Sequence, residues 1–223
     1  MPLITLYILN HNYGRFLKQA IASALNQTFQ DFEIVIIDDG STENSRDIIE
    51  DYRDNNKISI ILQENKEQTV SANVALNNAR RKYLIRFDAD DWLIPEALEI
   101  LYKSISDKPK VAYVFSGYYL TDASGYIKQE VRRSYLPYYL KADDSERHGA
   151  CCLIYIKKLK AVGGYNTLQD CKDELDIFLK FRNRFQIMDI PNFLFYYRRH
   201  ENNLTNDIEK TGKARKEILK QFI

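Results

Sequence analysis

Ile34-Val35-Ile36-Ile37 places four large β-branched residues in a row, and Asp38-Asp39-Gly40-Ser41-Thr42 follows at once. A strand with one face in water alternates apolar with polar residues. An unbroken β-branched run needs both faces covered, as in the middle of a parallel sheet with helices on either side. The Asp-Gly-Ser break reads as a turn leading to a helix N-cap. Neighbouring segments extend the pattern. Leu3 to Leu9 reads as a strand, and Leu17, Ile21 and Leu25, with Ala20 and Ala24, repeat at helical spacing. A helix to about Asp54, a strand at Ile58 to Leu62, a helix near Thr69 to Arg80 and a strand at Tyr83 to Phe87 follow, and Pro95 opens another helix. Such βαβ alternation implies an α/β fold with a mostly parallel, Rossmann-like sheet flanked by helices.

The second half is less regular and reads as a smaller mixed half. Val111 to Tyr119, Cys152 to Ile156 and Phe193 to Arg199 are expected strands, and Glu174 to Arg184 an expected helix. For 223 residues one domain over 1–205 is expected, divided at about 106/107, with a basic helix over 206–223. The formal charge of +1, from 32 basic against 31 acidic residues, excludes the globally basic footprint of a nucleic-acid binder. Three cysteines without metal-ligand spacing make neither a disulfide framework nor a zinc site. With no basic n-region at the start and no apolar run long enough to span a bilayer, a cytoplasmic protein is expected.

Two acidic clusters, Asp38-Asp39 and Asp88-Ala89-Asp90-Asp91, fall at expected carboxyl ends of strands, where open α/β sheets bind ligands. Turn and capping chemistry accounts for either alone. Together they gather enough negative charge to call for a cation, and oxygen ligands of this kind suit Mg²⁺ or Mn²⁺.

The segments LYILNHNYGRFLKQAIASALNQTFQDFEIVIIDDGS, YLIRFDADDW, VGGYN with DELDIFL, and YYRRHENNLT occur in that order. As an ordered set they resemble the inverting family 2 glycosyltransferases of the GT-A fold, from Leu3 to about Thr205. The resemblance implies transfer of a sugar from a nucleoside diphosphate sugar, with UDP as the expected carrier. The acceptor would be a hydroxyl of a glycan or a lipid-linked glycan, in polysaccharide synthesis. By position, Asp39 would bind the nucleotide base, with Asn10 and Asn12 lining that pocket. Asp88 and Asp90 would form the DxD motif, and Asp90, Asp91 and His200 would hold Mn²⁺ or Mg²⁺. Asp173-Glu174 stands where the family has Glu-Asp, so position favours Glu174 as the base and residue type favours Asp173. Acids also enrich the first turn of any helix, a reading that suits Asp176 better than Glu174. Where family members carry an Arg that touches the diphosphate this chain has Ala72, for which Arg80, Arg86 or Arg198 could substitute. Leu9-Asn10-His11 replaces the usual Pro-Thr-Tyr of the first loop.

A sugar nucleotidyltransferase would need a Gly-rich basic loop after the first strand, and Asn10 to Gly14 is not one. A non-catalytic nucleotide-sugar-binding module is the other alternative. A Rossmann dehydrogenase is disfavoured by the missing GxGxxG. Tyr113, Tyr118, Tyr119 and Tyr126 read mainly as strand packing, and a sugar-stacking acceptor groove over Tyr135 to Lys141, with Tyr138 and Tyr139, is the sharper reading. Arg80-Arg81-Lys82 and the tail cations Lys210, Lys213, Arg215, Lys216 and Lys220 read as solvated, or as a peripheral contact with the inner, anionic face of a membrane. A homodimer is compatible with the sequence.

Overall fold

The structure is a computed structural model that describes residues 3–133 and 149–222. The expected acceptor groove at Tyr135 to Lys141 lies outside the described residues. The elements run β1 (Ile4–Asn10), α1 (Gly14–Leu25), β2 (Phe32–Asp39), α2 (Ser45–Glu50), β3 (Ile58–Gln63), α3 (Gln68–Asn78) and β4 (Tyr83–Asp88). The second half adds β5 (Trp92–Leu93), α4 (Ala97–Ile105), β6 (Val111–Thr121), β7 (Ile127–Val131) and β8 (Leu153–Tyr155). It closes with α5 (Ile156–Ala161), α6 (Asp173–Arg182), β9 (Gln186–Arg198), a 3₁₀ turn at Leu204–Asn206 and α7 (Ile208–Lys220).

One sheet carries the strands in the order β3-β2-β1-β4-β8-β6-β9-β5, with β7 beside β6. The first four are mutually parallel. At β4/β8 the sheet turns antiparallel, and β6 with β9 is the one further parallel pair among the described strands. The β-branched run of β2 divides by parity. Ile34 and Ile36 pack with Leu17, Ile21 and Leu98 on one face, whereas Val35 and Ile37 pack with Ala72, Leu76 and Phe181 on the other. This two-sided burial is why the run does not alternate.

Three expectations shift. The strand expected from Phe193 starts at Gln186, the one expected to reach Ile156 hands that residue to α5, and β5 and β7 were not anticipated. Trp92 and Leu93 are too short a segment to show a period; their pairing with Tyr196 and Phe195 defines them. Tyr113 and Tyr118 are buried, as the packing reading requires, whereas Tyr119 is half-buried and Tyr126 is exposed, against that reading.

Register levels the strand ends that matter. Asn10 on β1 lies opposite Asp38 on β2, Leu9 lies opposite Asp88 on β4, and Asp39 lies opposite Gln63 on β3. Beyond the sheet, Ile218 of α7 packs with Leu175 and Leu179 of α6. Among the described residues no helix is long and apolar enough to cross a membrane.

Candidate active site

The carboxyl ends of β1, β2 and β4 open into a cavity of about 550 Å³. Its lining includes Asn12, Asp39, Arg86, Asp88, Asp90 and Glu174. Asp91, Asp173 and His200 stand behind that lining and bond Asp88, Arg86 and Asp90 in it, and Asn10 reaches it at one remove through Ser41, which accepts the Asn12 N–H.

At one end the turn after β2 is shaped by Gly40. Its φ is +79°, and a Cβ there would lie 2.6 Å from the backbone nitrogen of Asn65, so this turn and the β3–α3 loop approach as closely as backbone allows. Asp39 Oδ1 accepts from the Lys66 backbone N–H at 2.9 Å and from Gln63 Nε2 at 2.5 Å. Asn10 Nδ2 donates to Asp38 Oδ1 at 2.9 Å and to Ser41 Oγ at 3.0 Å. Asn12, at φ +61°, accepts from the Thr42 N–H at 2.8 Å. His11 Nδ1 donates to the Asp39 carbonyl at 2.8 Å, leaving Nε2 to accept from Asn65 at 3.3 Å. His11 and Asn65 were not anticipated as site residues; the sequence marked position 11 only as a departure from the usual first loop.

At the centre Arg86 grips Asp88 with two parallel bonds of 2.8 and 2.9 Å and reaches Asp173 Oδ1 at 2.5 Å. Gln68 Nε2 donates to the same Asp173 oxygen at 2.8 Å. Both donors converge on one oxygen of Asp173. Glu174, one residue on, faces the cavity from the first turn of α6, with Lys172 Nζ 3.9 Å away. Burial pushes its carboxyl up to about 7, Lys172 pulls against that shift and Asp173 adds to it. Asp176 pairs with Lys180 one turn along the helix, at 2.6 Å, with no part in the cavity.

At the far end Asp90 Oδ2 accepts from His200 Nε2 at 3.0 Å and from Asn203 Nδ2 at 3.1 Å. His200 is wedged between Phe16 and Tyr13, with ring centroids at 5.0 and 5.4 Å. Asn203 was also missed, since one Asn in a polar segment carries no signal of its own. Asp91 Oδ1 accepts the Arg198 N–H at 3.0 Å, and its other oxygen is buried with no hydrogen-bond partner. Burial, then the charges of Asp90 and Asp88, raise its carboxyl well above the usual range. No three His, Cys, Asp or Glu side chains among the described residues are grouped as a metal centre. Even so, three neighbouring carboxylates with one orphaned oxygen, and an imidazole on Asp90, are a donor set that fits a hard divalent cation completed by substrate oxygens and water.

Of the cations expected to substitute at Ala72, only Arg86 lines the cavity. Arg80 is exposed, and Arg198 spends its guanidinium on the Asp90 and Ala123 carbonyls and on Gln19 while lying over Phe16 and Trp92.

The chain matches Glycosyl transferase family 2 over residues 5–163. It is 32% identical over 117 residues to a chondroitin synthase of Pasteurella multocida strain Pm70, a match covering 52% of this chain and 12% of that protein. The chain spans less than half the length of such curated relatives, from 12% to 47%. Its fold is similar to S. aureus TarS 1–349 in complex with UDP-GlcNAc, with a TM-score of 0.75 and 16% identity over 97% of this chain and 65% of that one. It is similar also to the mannosyltransferase PcManGT of Pyrobaculum calidifontis in complex with GDP-Man and Mn²⁺, with a TM-score of 0.77 and 13% identity over 99% and 64% of the two chains. The curled α/β sheet is therefore a GT-A fold, and the chain belongs to glycosyl transferase family 2.

Proposed function

We propose that the chain transfers a sugar from a nucleoside diphosphate sugar, with UDP as carrier, to a hydroxyl of a glycan or lipid-linked acceptor in polysaccharide synthesis. The carrying observation is one cavity lined by Asp39, by the acidic pair Asp88 and Asp90, and by the largely buried carboxyl of Glu174 pushed up to about 7, a set that supports a base-binding end, a diphosphate centre and a general base. The mannosyltransferase PcManGT and S. aureus TarS, which share this fold, were solved with nucleotide sugars, which supports the donor class.

Asp39 keeps one oxygen for its protein donors and offers the other to an N–H of the base, with Asn12 and His11 beside it. Asp90 and His200, with Asp91 behind, would hold Mn²⁺ or Mg²⁺, which when bound stabilises charge building on the diphosphate leaving group. Glu174 takes the proton of the acceptor hydroxyl as that oxygen attacks the anomeric carbon. A base whose pKa lies near the working pH serves this role best and contributes roughly 10²–10⁴-fold. Asp173 positions Arg86 and Glu174 rather than reacting. One displacement from the face opposite the leaving group inverts the anomeric configuration. Residues 1–106 hold the donor and 107–205 the acceptor side. The exposed face of α7 with Lys213, Lys216 and Lys220 supports a peripheral contact with anionic membrane, which flotation with anionic vesicles tests.

The test is incubation with a set of nucleoside diphosphate sugars and Mn²⁺. Release of free nucleoside diphosphate supports transfer, pyrophosphate release would mean nucleotidyl transfer, and binding without turnover would mean a module.

A further inference from the structure

Among the described residues three Lys or Arg side chains line the cavity: Arg86, Lys172 and Lys210. Arg86 is buried and divided between Asp88 and Asp173. Lys172 is 10% exposed and lies beside Glu174, where its charge opposes protonation of that carboxyl. Lys210 differs from both. It rises from the first turn of α7, its side chain is 37% exposed, and its ammonium rests on Asp170 at the cavity wall. Asp170 in turn meets Glu67, which lies in the loop whose Lys66 N–H holds Asp39. Leu204 and Thr205, in the turn before α7, line the cavity on the side of Asn203 and Asp90. Lys210 therefore stands between the Asp39 end and the Asp90 end, where a molecule reaching from one to the other carries its two phosphates.

We infer that Lys210 is a diphosphate-binding residue delivered by the C-terminal helix, parked on Asp170 until a nucleoside diphosphate enters and transferring its ammonium to a phosphate oxygen. This rests on the nucleotide-sugar reading of the cavity. A four-carbon stem with a point charge suits such a change of partner, since the ammonium needs no fixed fork geometry. Exchanging a carboxylate for a phosphate keeps the charge paired throughout, so no uncompensated cation is buried in either state.

Calorimetry on the full chain in the presence of Mn²⁺, with UDP and GDP and with uridine and guanosine, tests it in three proteins: wild type, Lys210→Met and Lys210→Arg. The expected result is a loss of roughly tenfold or more in diphosphate affinity for Lys210→Met, recovery of most of it by Lys210→Arg, and unchanged nucleoside binding. Equal diphosphate affinity in wild type and Lys210→Met, or an equal loss for nucleosides, overturns the assignment while leaving the donor reading intact. A wild-type chain that binds neither diphosphate overturns both. Matching melting temperatures in the three proteins show that the fold is unchanged.

Discussion

Arg86 and Asp173 stand 87 positions apart in the chain and 2.5 Å apart in space. That contact joins the end of β4 to the start of α6, the first element carrying Asp88 and the second Glu174. Because Arg86 also grips Asp88 through two bonds, one buried guanidinium sets the spacing between the acidic centre and the first turn of α6.

Replacing Arg86 by Met should leave the buried Asp173 and the partly buried Asp88 without their shared cation. The expected loss of stability is roughly 3–5 kcal/mol, measured by urea unfolding. Arg86→Lys should recover only part of it, since a point charge cannot make the parallel pair of bonds to Asp88. An Arg86→Met protein within about 1 kcal/mol of wild type would mean that both carboxyls are satisfied by other groups.

The transfer rate should rise with pH and level off above about 7, because Glu174 must be ionised to accept a proton and its carboxyl is pushed up to about 7. Glu174→Gln should lower kcat by about 10²–10⁴-fold and abolish that limb, while nucleotide affinity stays near wild type. Near-normal turnover in Glu174→Gln would move the base to Asp173.

Stability should change in the opposite sense. The Glu174 carboxyl is raised on folding from an ordinary value of 4.5 to about 7, so the folded state favours its protonated form. Its contribution is fully present below pH 4.5 and is lost as pH rises through about 7. Glu174→Gln, which cannot ionise, should therefore be more stable than wild type at pH 8, by about 3 kcal/mol, and close to it at pH 4. Denaturant midpoints at the two pH values check this.

Mn²⁺ added with UDP should raise the melting temperature of the wild-type chain. Asp90→Ala should remove that increment, and His200→Ala should reduce it, since His200 holds Asp90 Oδ2 at 3.0 Å. Paramagnetic relaxation of water protons by Mn²⁺ gives a second readout independent of turnover. An undiminished increment in Asp90→Ala would place the cation elsewhere.

Gly40→Ala meets two obstacles at once, a left-handed φ of +79° and a backbone nitrogen 2.6 Å from the new Cβ. The cost should be about 1–3 kcal/mol. Displacing Asn65 also moves Lys66 off Asp39, so UDP affinity should fall while the Mn²⁺ response of Asp90 persists.

The parallel half of the fold was legible because each strand there carries its own pattern, as in the β2 run whose alternate residues go to opposite faces. Asp39, Asp88 and Asp90 were legible because those strands end where the pattern breaks. Trp92, Leu93 and the first half of β9 were not, since their strand character comes from partners distant in sequence and not from local period. The swapped Asp173-Glu174 pair could not be resolved from order alone. The structure adds that Arg86 and Gln68 both reach Asp173 while Glu174 lines the cavity, a fact of three elements converging. Tail cations read as a uniform basic stripe, yet Lys210 faces inward to Asp170 while Lys213 and Lys216 face solvent.

Ile218 is fully buried where α7 meets Leu175 and Leu179, on the helix whose first turn bears Glu174. Fraying of either helix strips the apolar cover from the other, so the two should exchange their amide hydrogens as one cooperative block. The looseness of the Glu174 carboxylate is then governed by three aliphatic side chains outside the cavity lining, and a void made there should tell in turnover before it tells in global unfolding.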